Sequence, residues 1–134
     1  MWRLDVAIAT AWLIYLPLYY VVGKAISPWV AAYYTEASLS LVLPEVQTIV
    51  DMQIWRGALF VLIIFPVVVL WRDSMTSLWR WLGLALFVQL AVVPMILGYW
   101  LPVAVRLPHA VELAIDSFAQ AYIYAQLLFV KHRA

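Results

Sequence analysis

Four apolar stretches, each close to the length that crosses a bilayer and separated by short polar breaks, constrain this chain more than any other feature. A transmembrane helix needs about 20 predominantly apolar residues, each rising about 1.5 Å. The stretches run at about 4–22, 53–71, 78–101 and 108–130. Of the 134 residues, 68% are hydrophobic and 11% charged, where a soluble domain has about a quarter of its residues charged. A water-soluble fold of this size buries only part of its chain and could not hide so much apolar surface. The eight Trp and eight Tyr suit a membrane, because their amphipathic rings favour the headgroup zone. The sequence therefore predicts an all-α, polytopic membrane protein: a single domain over residues 1–134, folded as a four-transmembrane-helix bundle. An interfacial or capping segment, 25–43, lies between helices 1 and 2.

Four spans use most of the chain and leave little for a separate soluble catalytic unit, so any activity sits among the helices or at their ends. The absence of cysteine excludes disulfides, thiolate metal sites and a Cys nucleophile. A net charge of +1 excludes the basic footprint that nucleic acid requires. Met1-Trp2-Arg3-Leu4-Asp5 leads straight into the first apolar stretch without a small-residue cleavage site, so this stretch reads as a retained helix and not a signal peptide.

Local signals refine the spans. Pro17, Pro66 and Pro94 lie inside apolar stretches, where a membrane helix tolerates proline if neighbours satisfy the freed carbonyl. Kinks are expected near Leu13–Pro17 and at Pro66. In the 25–43 segment, Trp29, Tyr33 and Tyr34 suit an interface anchor, and the apolar run Leu39–Leu43 is too short to span. Pro44-Glu45 marks a helix start. From there the chain can stay helical to Trp71, polar at first (Thr48, Asp51, Gln53, Arg56) and apolar after Gly57. Counts of Lys and Arg favour both termini in the cytoplasm. That side would hold Arg3, Arg72, Arg80, Lys131 and Arg133, and the other side Lys24, Arg56 and Arg106.

The fourth stretch carries the chemistry. Arg106, His109, Glu112, Asp116, Gln120 and Tyr124 fall within an arc of about 120° on a helix, and Ser117 lies just beyond it. If the helix starts at Pro108, Glu112 lies roughly 6 Å in, Asp116 roughly 12 Å and Gln120 roughly 18 Å. A charged Asp near mid-bilayer costs about 2.5–3.5 kcal/mol on insertion scales. Asp116 must then be paired, protonated or facing a wet cavity. Arg56 on the second span is the expected partner of Glu112 or Asp116, with Gly57 allowing close helix approach.

The expected site is a polar pocket of Asp51, Gln53, Arg56, Arg106, His109, Glu112, Asp116 and Gln120. Each residue also has a bland reading. Arg56 with an acid can be structural glue, Arg106 an interface anchor, His109 a solvated or capping residue, and Glu112 a complement to the helix dipole. Gln120 and Tyr124 are common interhelical hydrogen-bonders. No cofactor or metal is expected: Arg56 repels a cation, His132 lies at the opposite end from His109, and Ser117 is too far from His109 for a catalytic triad. Paired arginines favour a small anionic or amphipathic ligand, and a buried acid suits proton relay. The function expected is therefore binding, transport or proton relay, in a homodimer or within a larger membrane complex. The alternatives are an accessory structural subunit, or a small membrane enzyme using His109 and Glu112 on a lipid or isoprenoid.

Overall fold

The computed structural model describes residues 4–36 and 45–129, and these are helical with no strand among them. The first two helices, α1 (Leu4–Leu13) and α2 (Tyr15–Tyr34), follow one another almost without interruption. Next comes α3 (Val46–Leu70). A third stretch consists of α4 (Met75–Phe87), a π-helical segment (Val88–Val92) and α5 (Val93–Leu97), and α6 (Val103–Leu128) completes the described chain. Three of these stretches, Leu4–Tyr33, Val46–Leu70 and Met75–Leu97, are long and apolar enough to cross a membrane. They give the protein its membrane character. α6 is as long as the others, at 26 residues, but carries Arg106, Glu112 and Asp116.

The prolines account for the irregularities. Proline lacks the N–H that bonds the carbonyl four residues back. Pro17 leaves the carbonyl of Leu13 without that partner, and the α-helical pattern is interrupted for one residue, Ile14, whose N–H and carbonyl still make helix-type bonds to Thr10 and Leu18. Pro94 likewise frees Leu90. The helix adjusts just before it by widening into a π turn, in which the Val93 N–H reaches back to the carbonyl of Val88. α3 runs unbroken through Pro66.

Ser27 shows how the first helix continues past Val22 and through Pro28. A residue with an N–H at 28 would bond the carbonyl of Lys24, and the hydroxyl of Ser27 donates to that same carbonyl at 3.0 Å. With the orphan acceptor satisfied, the helix passes the Gly23-Lys24 punctuation and continues to Tyr34. Residues 25–34 of the expected interfacial segment are therefore part of this helix, and residues 37–43 lie outside the described residues. The start of the last helix also moves, from Pro108 to Val103. Pro102 stands at its N-cap and Pro108 is inside the helix.

Packing fixes the arrangement. A core of Ala7, Ala11, Val61, Ile64, Val68, Leu78, Leu82, Leu86, Ala121, Tyr124, Ala125 and Leu128 brings together α1, the second half of α3, α4 and the end of α6. Consecutive stretches thus alternate in direction. The alanines of α1 and α6 let backbones approach closely, as is usual where lipid supplies no hydrophobic drive between helices. α6 packs chiefly on α4 and α2 and also on α1, whereas α3 packs on α1 and α2 and touches α6 little. At the turn into α4, Ser74 is the N-cap and accepts the Ser77 N–H at 3.1 Å. Beside it, hydrogen bonds from the Ser77 side chain and the Ser74 backbone hold the Asp73 carboxyl below its ordinary value.

Candidate functional site

Helix periodicity decides which way the α6 stripe points. Glu112, Asp116, Ser117, Gln120 and Tyr124 are all buried, along with Leu113, Ala121, Ala125 and Leu128. The exposed face is Val103, Leu107, Val111, Ile115 and Tyr122. The polar arc therefore faces the protein interior and the apolar arc faces outward, the arrangement that a low-dielectric surrounding requires of ionisable side chains.

The stripe runs from an exposed rim into the buried interior. His109 has a side chain 56% exposed, and its Nδ1 is hydrogen-bonded to Glu112 Oε2 at 2.9 Å. Glu112 itself is 7% exposed. One turn on, Asp116 is 0% exposed, and neither carboxyl oxygen has a hydrogen-bond partner. The Ser117 hydroxyl turns back to the carbonyl of Leu113 at 2.6 Å and leaves Asp116 alone. Another turn on, Gln120 Nε2 donates to the Tyr124 hydroxyl at 2.8 Å, while Gln120 Oε1 is buried without a partner.

Arg56 does not meet these acids directly. Its Nη1 donates to the hydroxyl of Tyr15 at 3.5 Å, and Tyr15 stands within electrostatic reach of both Arg56 and Asp116. The reason lies in helix order. Gly57 does permit close approach, but the helix it admits is α1. A Cβ at Gly57 would come within 2.5 Å of the Trp12 carbonyl oxygen, and Trp12 Nε1 donates to the carbonyl of Ile54 at 2.8 Å. The first helix, not the fourth, thus lies against the polar part of α3.

The remaining expected residues disperse. Gln53 is 4% exposed on the inner face of α3, above Gly57, Val61, Ile64 and Val68, with its Oε1 unpartnered. Asp51 is exposed and accepts from Gln47 Nε2 at 2.9 Å. With Thr48, Met52, Trp55, Arg56 and Leu59 it lines a shallow outer hollow on α3. Arg106 Nη1 donates to the carbonyl of Met95 at 3.4 Å. It thus meets a carbonyl in the last turn of α5, where helix carbonyls lack intrahelical donors. The α6 stripe holds His109, Glu112, Asp116 and Gln120, while Asp51 lies in the outer hollow of α3 and Arg106 bonds the carbonyl of Met95.

A groove of about 580 Å³ opens beside the stripe, between α2 and the starts of α3 and α6. Its polar lining is Tyr19, Tyr20, Lys24, Ser27, His109 and Glu112, and its apolar lining includes Leu16, Ile49, Val50, Leu101 and Val105. The Lys24 ammonium lies over the Tyr20 ring, 5.8 Å from its centroid. Gly23 forms the groove wall beside Glu112, where a Cβ would stand 3.1 Å from Oε1.

Tyr15, Gly23 and Lys24 escape the sequence reading. The buried positions Ala7, Ala11 and Tyr15 recur every four residues and mark the inner face of the first helix. Among the described residues no three His, Asp or Glu side chains gather closely enough to hold a metal ion. Comparison with known proteins finds no matching family model, no matching curated protein and no matching solved structure. Function is therefore argued from geometry.

Proposed function

We propose that α6 is a fourth membrane span and that its inward stripe is a proton-accepting site, serving proton relay or proton-coupled transport through the membrane. Asp116 carries this reading: its side chain is fully buried and both carboxyl oxygens lack partners. An isolated carboxylate removed from water costs several kcal/mol or more, and a buried acid escapes that cost by holding a proton. His109, exposed at the rim and bonded to Glu112, provides the way in from the groove. Gln120 and Tyr124 continue the polar line inward. The arginines that would have favoured an anionic ligand stand off the groove, Arg56 on Tyr15 and Arg106 on the carbonyl of Met95. With four spans the termini share one side, and the distribution of Lys and Arg puts that side in the cytoplasm.

Infrared spectroscopy of the protein in lipid bilayers tests this reading. A protonated-carboxyl C=O band is expected at mildly acidic pH, where exposed carboxyls are still ionised, and Asp116→Asn should remove it. Absence of the band in the wild type, or its survival in Asp116→Asn, would overturn the assignment.

A second reading, partnership with another copy or another membrane subunit, draws support from the outer hollow of α3, where Asp51 and the half-buried Arg56 lie among Met52, Trp55 and Leu59. Mass measurement in mild detergent checks it. A lone monomer that stays folded and keeps the carboxyl band would remove this reading.

A further inference from the structure

The groove beside α6 has a charge pattern that the proton reading does not use. On one wall stands Lys24, exposed, with its ammonium resting on the Tyr20 ring. Across from it stands Glu112, 7% exposed. The two are at the same level, because Gly23, the residue before Lys24, is the one that abuts Glu112 Oε1. The Glu112 ion pair in the structure is with His109, through Oε2. A carboxylate has about four lone-pair sites, so Glu112 retains acceptor capacity on the groove side. Below and around the charges the walls are apolar, formed by Leu16, Ile49, Val50 and Val105. The volume, about 580 Å³, falls inside the range of roughly 300–1,000 Å³ typical of small-molecule sites.

One chemistry satisfies all of these features. A ligand with an ammonium for Glu112, an anionic group for Lys24 and His109, and an apolar tail for the walls would be held at every point. A simple anion would face Glu112 at close range, and a simple cation would face Lys24. We propose that this groove binds a zwitterionic aminophospholipid by its headgroup, with the primary ammonium on Glu112, the phosphate on Lys24 and His109, and the start of one acyl chain along α2, α3 and α6. A primary ammonium donates three hydrogen bonds, whereas a quaternary one donates none, so the site distinguishes an ethanolamine headgroup from a choline one. A side chain at Gly23 would crowd Oε1, since a Cβ there would stand 3.1 Å from it. The two readings share His109 and Glu112 but are separable, because Asp116, which carries the proton reading, does not line the groove.

The test is lipid retention by the intact protein, measured by native mass spectrometry after exchange into detergent containing phosphatidylethanolamine, phosphatidylcholine or phosphatidylglycerol. Phosphatidylethanolamine should be retained at least tenfold better than either of the others. Glu112→Gln should erase its advantage over phosphatidylglycerol, and Gly23→Val should reduce retention of all three. Lys24→Gln alters an exposed side chain, so it keeps the test open should Glu112→Gln fail to fold. It should lower phosphatidylethanolamine retention at least fivefold. Phosphoethanolamine alone, the headgroup without chains, should compete only at far higher concentration. Equal retention of the three lipids, an undiminished preference in Glu112→Gln, unchanged binding in Lys24→Gln, or a free headgroup that competes as well as the lipid would each overturn the proposal. Asp116→Asn separates the two readings, since it should abolish the carboxyl band and leave lipid retention intact.

Discussion

Replacing Gly57 by alanine probes a close approach of α3 to α1, and the expected sign is opposite to what an isolated helix would give. In a helix interior, Gly→Ala normally stabilises by about 0.5–1 kcal/mol. Here the new methyl would sit 2.5 Å from the carbonyl oxygen of Trp12 and 3.3 Å from its ring. The obstructing atom is backbone, so relief requires α1 and α3 to separate. Overpacking of this kind costs about 1–3 kcal/mol. Separation also stretches the bond from Trp12 Nε1 to Ile54, set at 2.8 Å, a loss of about 0.5–1.5 kcal/mol, with membrane cases averaging near 0.6. Net of the helix-propensity gain, the expectation is destabilisation of roughly 0.5–4 kcal/mol. Reversible unfolding in mixed micelles, followed by tryptophan fluorescence and circular dichroism, measures it. Trp12→Phe removes the hydrogen bond alone and should cost about 0.5–1.5 kcal/mol. The double variant should fall short of the sum, because both changes act on one contact. A neutral or stabilising Gly57→Ala, or strict additivity with Trp12→Phe, would refute the α1–α3 contact.

Other consequences can be checked the same way. Asp116→Leu removes an unpartnered buried acid and should stabilise the protein to detergent unfolding by about 1–3 kcal/mol, while eliminating the carboxyl infrared band. A loss of stability there would mean that Asp116 has a partner. Ser74→Ala removes the cap that holds the Ser77 N–H and should cost about 1 kcal/mol, read from the unfolding midpoint. Asp73 titrates below the ordinary value of 3.8 because Ser77 and Ser74 hydrogen-bond its charged form. Its small stabilising contribution is therefore present above that value and lost as pH falls through the lower folded one. Asp73→Asn should flatten this acid limb, and an unchanged limb would assign it to other groups.

Much of this architecture is legible in the sequence, and the misses have physical causes. The end of α3 is legible where its apolar run meets Trp71, and its start from the Pro44-Glu45 signal and not from hydropathy, which begins the span only near residue 53. The polar arc of α6 follows from spacing alone, and its inward direction from the cost of exposing acids to lipid. The length of the first helix is not legible. Lys24, Ser27 and Pro28 look like a stop, and only the bond from the Ser27 hydroxyl to the Lys24 carbonyl shows how the helix survives them. The partner of Arg56 is hidden for a different reason. Spacing within a helix gives faces, but not which helix stands opposite, and Gly57 admits Trp12 where the sequence suggested the fourth span. Lys24 and Gly23 enter the groove only because the first helix runs on far enough to meet α6.

The break at Ile14 sits between two clamps. On one side Trp12 is fastened to α3 through Ile54, and on the other Gly23 lies against Glu112 on α6. The two ends of the first stretch are therefore held by different partners, α3 at the α1 end and α6 at the α2 end, so the place of Lys24 at the groove is set by a helix whose other end is fixed elsewhere.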